Sequence, residues 1–182
     1  MMWGVAYAVC LGALFVRLRT PEAVSAAPQL PAIDEPLAVV RWHHRLFYVL
    51  LLASPLEAVM VGSRSSGRAA GLGLFVLGVT LYRLAARSLG DALSPFVLPR
   101  PGAALVTTGP YRWIRHPMYL GQACIALAAP LTVGARWSLA ITAVAVFVLG
   151  VRVALEEAAL ERTYPEYPQY TRRVRRFLPF VF

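Results

Sequence analysis

Apolar residues in this chain come in long blocks separated by short, proline-bearing polar breaks. That is the pattern of helices that cross a membrane, not of helices that show one face to water. The first block, residues 1–16, ends at Arg17 and Arg19. Its positive charge follows the apolar run instead of preceding it, so it reads as a first membrane helix and not as a signal peptide. Residues 20–36 hold Pro21, Pro28, Pro31 and Pro36 with three acids, and read as loop. A second block covers residues 37–62, interrupted by Arg41-Trp42-His43-His44-Arg45. Its uninterrupted part, residues 46–61, makes only about 24 Å of helix against a hydrocarbon core of about 30 Å, so the helix is expected to reach back through Trp42. After a polar turn at 63–67, residues 69–86 form a third helix, whose Gly71, Gly73 and Gly78 allow a neighbouring helix to approach closely. Residues 88–100 read as an irregular connector. A fourth helix follows over 117–133 and a fifth over 137–155. Only Gly134-Ala135-Arg136 separates them, which requires an antiparallel hairpin.

The predicted fold class is therefore all-α, an integral membrane bundle of about five helices. Its 182 residues make one folded unit. Residues 1–87 carry the first three helices, and residues 88–182 carry the connector, the last two helices and a polar C-terminal segment. Composition agrees: 58% of residues are hydrophobic, against about 45–50% in soluble domains.

The charge is one-sided, with 18 basic residues, all Arg, against 9 acidic. These Arg residues border apolar segments and form no continuous polar face, so nucleic acid is not an expected partner. They do fix an orientation. With five helices and an external N-terminus, only Arg64, Arg68 and Arg136 lie outside, and the other fifteen lie on the cytoplasmic side. Cys10 and Cys124 sit in apolar runs without paired spacing, and the three His make no ligand pattern, so no metal is expected. Glu57, an acid within the second block, is a candidate for a polar pathway or a side chain snorkelling at the helix end, and the second reading is preferred.

Chemistry concentrates in residues 105–121, Leu-Val-Thr-Thr-Gly-Pro-Tyr-Arg-Trp-Ile-Arg-His-Pro-Met-Tyr-Leu-Gly. Gly109-Pro110 reads as a turn, and His116-Pro117 as a helix start, since Pro lacks an N–H that the first turn does not need. The N–H groups of Met118, Tyr119 and Leu120 then point back toward His116 and suit an anionic or polar ligand. Equally, Tyr111, Trp113 and Arg115 fit a membrane-interface belt. Downstream lie Arg152 with Glu156-Glu157, then Tyr164, Tyr167 and Tyr170, then an Arg-rich end at 172–176.

These two ordered motifs resemble the signature of the isoprenylcysteine carboxyl methyltransferase family, within the phospholipid-methyltransferase-like integral membrane enzymes. The likeness covers about residues 88–180. It implies S-adenosylmethionine as methyl donor and a lipophilic acceptor reached from the membrane. The donor contacts it implies fall on Leu105, Val106, Tyr111, His116, Pro117, Met118, Tyr119 and Glu156. Leu105 and Val106 would line the adenine pocket, His116 and the helix start would receive the carboxylate, and Glu156 the ribose or ammonium. Arg152 would bind and orient the acceptor. Four residues from Glu156, it also fits an interfacial ion pair. His116 and Glu157 are the base candidates for a phenol or amine acceptor, whereas a carboxylate needs none. Tyr167, Tyr170 and Arg173 would help close the donor pocket, and the terminal Arg cluster would meet anionic lipid headgroups; equally, that cluster fits topology-setting charge alone.

The chain departs from the family where Asp91-Ala92-Leu93-Ser94 replaces a segment that carries tryptophan in many relatives, and where Ala103-Ala104 replaces a polar contact. The acceptor stays open among carboxylate, phospholipid amine and phenolic lipid. A small non-catalytic transport or assembly protein is the rival reading. On the five-helix reading, a tag at the N-terminus is outside and one at the C-terminus inside. Protease protection placing both ends on the same side contradicts that count.

Overall fold

The computed structural model describes residues 37–62 and 67–177. The first predicted helix, the loop after it, most of the 63–67 turn and the last residues of the chain lie outside the described residues. Five α-helices follow in order: α1 (Leu37–Val61), α2 (Arg68–Leu89), α3 (Pro117–Val133), α4 (Ser138–Thr163) and α5 (Tyr167–Arg173). Three of them, α1, α2 and α4, are long and apolar enough to cross a membrane, and α3 is a shorter apolar helix. The fold is all-helical, with a single isolated backbone bridge, Ile114 to Arg175, among the described residues. Large apolar side chains such as Leu52, Val59, Val76 and Phe147 face outward from these helices. That outward apolarity is costly in water and expected in lipid.

The most extensive helix pairing is α2 with α3, and small residues make it possible. A Cβ added at Gly78 would lie 2.7 Å from the Gly121 carbonyl oxygen, and one at Gly121 would lie 2.7 Å from that of Gly78. Each backbone thus fills the space the other's side chain would need. Gly71 meets Thr132 in the same way, whereas Gly73, expected to share the role, faces open space.

Helix α1 docks on α4 through Glu57. Its carboxylate accepts the backbone N–H groups of Trp137 and Ser138 and the Ser138 hydroxyl, all at 2.8 Å. Glu57 is therefore neither a pathway acid nor a free snorkelling side chain. It caps the first turn of another helix, where unpaired N–H groups and the helix dipole favour a carboxylate.

Two helices outrun their apolar stretches. Helix α2 continues to Leu89, and α4 continues through Glu156 and Glu157 to Thr163. Residues 156–162 are good helix formers with no breaker before Pro165. The last two turns of α4 thus carry the acidic pair beyond the apolar run. Short α5, not expected from the sequence, follows at once, with Pro168 in its first turn.

The packing yields a paired prediction. Gly78→Ala forces two backbones apart and should lower the thermal midpoint measurably. Gly73→Ala, in open space on the same helix, should leave it unchanged or slightly raised. Equal effects in a detergent thermal-shift series contradict the close α2–α3 contact.

Candidate active site

The turn at the head of α3 is held against three other segments. Gly109 has a positive φ of 60°, and a Cβ there would strike the Ser88 hydroxyl at the end of α2. The backbone N–H groups of Arg115 and His116 donate to the carbonyls of Arg175 and Arg176, at 2.8 and 3.1 Å. This short parallel bridge fastens the Arg-His-Pro segment to the chain that follows α5.

Glu157 on α4 completes the fastening. Its Oε1 accepts the Arg115 Nε at 2.9 Å, with Nη2 also at 2.9 Å, and lies 3.0 Å from His116 Nε2. Arg176 pairs with its other oxygen. Arg115 Nη1 donates onward to the Val174 carbonyl at 2.7 Å and that of Thr171 at 3.3 Å. Three cationic or ionisable side chains from two distant segments thus converge on one carboxylate that is only 13% exposed. This occupation removes Glu157 from the base candidates and leaves His116 only its Nδ1 for a ligand.

Glu156, the next residue, points the other way and accepts the Tyr119 hydroxyl. It lines a cleft between the 88–106 connector, the head of α3, the end of α4 and α5. The cleft gathers seven of the eight residues expected to contact the donor: Leu105, Val106, Tyr111, His116, Met118, Tyr119 and Glu156. Pro117 is fully buried at the first position of α3 and contributes no wall. At the helix start, the Leu120 N–H is taken by the His116 carbonyl at 3.0 Å, so it is not free as expected. The fourth residue of a helix already reaches the cap carbonyl, and only Met118 and Tyr119 keep unpaired N–H groups from that set.

Two of the three residues expected to close the pocket, Tyr167 and Tyr170, are walls of it as well. Tyr164, Tyr167 and Tyr170 line the cleft from the C-terminal side, joined by Phe96 and Leu98 of the connector. Arg173 does not line it. The Tyr164 hydroxyl donates to the Ala103 carbonyl at 2.9 Å and the Tyr170 hydroxyl to that of Tyr111 at 2.6 Å. The tail is stitched over the connector and the α3 turn by these bonds. The Tyr167 hydroxyl, by contrast, is buried without a partner. Burial raises all of these phenols: Tyr170 is pushed up to about 12, and Tyr111 and Tyr167 rise further, helped by the charges of Glu156 and Glu157 respectively. They stay neutral hydrogen-bond donors at working pH.

Arg152 stands apart from the cleft walls. It is 5% exposed, donates from Nη2 to the Pro95 carbonyl at 2.7 Å and lies over the Tyr119 ring at 5.7 Å. No ion pair joins it to Glu156 among the described residues, because Glu156 turns to Tyr119 instead.

Glu157→Ala leaves Arg115, His116 and Arg176 without their shared anion, which should cost about 3 kcal/mol or more. Hydrogen exchange should then show lost protection at the Arg115 and His116 amides. Protection retained at both amides contradicts the clasp.

A model of the phospholipid methyltransferase family matches residues 67–167, from the start of α2 to the start of α5. An uncharacterized protein of Bacillus subtilis, YpbQ, is 31% identical over 120 residues, covering 65% of this chain and 70% of YpbQ. The nickel-cobalt-cadmium resistance protein NccN of Alcaligenes xylosoxydans xylosoxydans is 33% identical over 166 residues, covering 86% of this chain and 74% of NccN. Among solved structures, the eukaryotic intramembrane Ras methyltransferase, isoprenylcysteine carboxyl methyltransferase, superposes with a TM-score of 0.58 at 20% identity. That match covers 84% of this chain and 55% of the enzyme, and it shows a shared fold. With the family model spanning more than half the chain and the fold agreeing, this protein belongs to the phospholipid methyltransferase family of integral membrane methyltransferases.

Proposed function

We propose that the protein transfers a methyl group from S-adenosylmethionine to a lipophilic acceptor that reaches the cleft from the bilayer. The observation that carries this is the convergence of the Arg-His-Pro turn and the Glu-Glu pair, 41 residues apart at His116 and Glu157, on one cleft with mixed apolar, aromatic and acidic walls. The walls fit the donor's parts. Leu105, Val106 and Phe96 make an apolar slot for a purine, and the Met118 and Tyr119 N–H groups face a carboxylate. Glu156 offers an anion to the ribose or ammonium, and tyrosine faces suit a sulfonium cation. The buried Tyr167 hydroxyl, unpartnered in the protein, has a donor to give.

When bound, S-adenosylmethionine supplies an activated methyl on a sulfonium. What the chain adds is placement: a rigid cleft holds the methyl carbon and the acceptor atom at reacting distance, which lowers the barrier by fixing orientation in advance. The tyrosine tail, bonded over the connector and the α3 turn, keeps water from the site. His116, held to Glu157 through Nε2, sets the angle of the helix head; a carboxylate acceptor needs no base, and for an amine or phenol the His116 Nδ1 is the remaining candidate.

For the acceptor, the structural relative suggests the carboxylate of a prenylated cysteine, and the family description suggests a phospholipid amine. A phenolic lipid is the third candidate. The Arg side chains at 172–176 suit an anionic membrane surface, and the cytoplasmic face is the side we assign to the cleft.

Glu156→Ala and His116→Ala should each weaken donor affinity about tenfold, as expected for losing a buried hydrogen-bonding group, while the protein stays folded. Titration calorimetry showing wild-type affinity in both variants contradicts the site. Incubation with labelled donor and a membrane lipid extract should place the label on a lipophilic product. A donor that binds and yields no such product contradicts a lipid acceptor.

A further inference from the structure

Arg152 is 5% exposed and lies between Val151 and Val153 in the apolar part of α4. No carboxylate forms an ion pair with it among the described residues. A buried guanidinium without a paired anion is costly, above all between membrane helices, and packing alone would be better served by an apolar side chain. Two of its contacts lead to the donor cleft. Nη2 donates to the Pro95 carbonyl of the connector at 2.7 Å, and the guanidinium lies over the Tyr119 ring of α3. Tyr119 lines the cleft, and so does Phe96, the residue after Pro95.

The connector needs such a hold. Residues 93–99 form no helix and include Pro95 and Pro99. The Leu93 and Phe96 N–H groups bond within the connector, to the Gly90 carbonyl and the Ser94 hydroxyl, each at 3.2 Å. Those bonds shape local bends and do not place the segment against the helices. The Arg152 bond does, because it comes from α4, 57 residues further along the chain. Phe96 is 38% exposed even though it lines the cleft, so packing holds its ring only in part and its backbone must set its position. Irregular backbone beside apolar helices also needs its carbonyls satisfied, and a guanidinium is a strong donor for one. Arg152 stands one turn before Glu156 on the same helix, and it reaches the cleft walls from behind.

We infer that Arg152 is a positioning residue of the donor site: through the Pro95 carbonyl it holds the connector so that Phe96 completes the purine slot with Leu105 and Val106. This rests on the transferase reading. It replaces the acceptor contact expected for Arg152 from the sequence, and the two roles predict different kinetics.

The test uses the full chain in lipid nanodiscs with S-adenosylhomocysteine as the probe. Arg152→Met and Phe96→Ala should each weaken its binding about tenfold in titration calorimetry. The double variant should lose no more than the weaker single one, because the two residues act as one unit. At saturating labelled donor, turnover of Arg152→Met on a membrane lipid extract should stay within about threefold of the wild type. Arg152→Lys keeps a charged donor for Pro95 and serves as the second variant if Arg152→Met does not fold. In it, donor affinity and hydrogen-exchange protection across residues 94–98 should be kept or lost together, and a split between them overturns the inference. A multiplied loss of about a hundredfold in the double variant also overturns it, since Arg152 would then act apart from Phe96, through its charge on Glu156. Unchanged donor affinity in Arg152→Met, with turnover lost at saturating donor, overturns it in favour of an acceptor contact. A wild-type protein that binds no S-adenosylhomocysteine is a different result, and it overturns the transferase reading itself.

Discussion

One carboxylate holds the site together. Glu157 gathers Arg115 and His116 from the turn before α3 and Arg176 from the segment after α5, and it does so from the polar end of a long, mostly apolar helix. A partly buried anion needs such partners, and the three partners need it. The consequence is positional. With the turn and the tail tied to α4, Tyr119 is delivered to Glu156 and the three tail tyrosines are laid along the opposite wall. The adjacent acids therefore divide the work: Glu157 builds the cleft and Glu156 faces into it.

The rest of the fold supplies the platform for that clasp. Backbone contact between Gly78 and Gly121 sets α2 against α3, and Glu57 locks α1 to the start of α4. Gly121 lies in the second turn of α3, close behind His116, and Ser138 begins the helix that carries Glu156 near its other end. They fix where the head of α3 and the end of α4 emerge, and hence how far His116 stands from the acidic pair. Buried His43 and Arg152 add a polar centre among helices that otherwise expose apolar side chains to lipid. Polar groups at such depth are expensive unless they meet one another or a ligand.

Much of this was legible in the residues. Proline and glycine breaks marked the helix limits, and α3 runs over the 117–133 stretch expected for it, because Pro117 opens it and Gly134, at a φ of 74°, closes it. Leu105, Val106, Tyr111, His116, Met118, Tyr119 and Glu156 line one cleft because both motifs contribute walls to it. What hydropathy hid was the polar continuation of α4: a helix there is held by propensity and by the Glu157 clasp, and neither leaves an apolar trace. Pairings between distant residues were also hidden. Glu57 with Ser138, and Arg152 with Pro95 in place of Glu156, depend on helix packing that no local spacing reports. His43 read only as part of the polar break at 41–45, and only the bundle shows it buried beside Gln122 and Arg152.

The central claim is that one cleft, walled by the α3 head, the end of α4 and the tyrosine tail, receives the methyl donor. An experimental structure of the protein in nanodiscs with S-adenosylhomocysteine, the demethylated donor, tests it most directly. The account predicts ligand density between Tyr119 and Tyr167, with Glu156 in contact and Glu157 still bound to Arg115. Ligand density elsewhere in the molecule, or a cleft filled by protein side chains with the ligand bound outside it, contradicts the account.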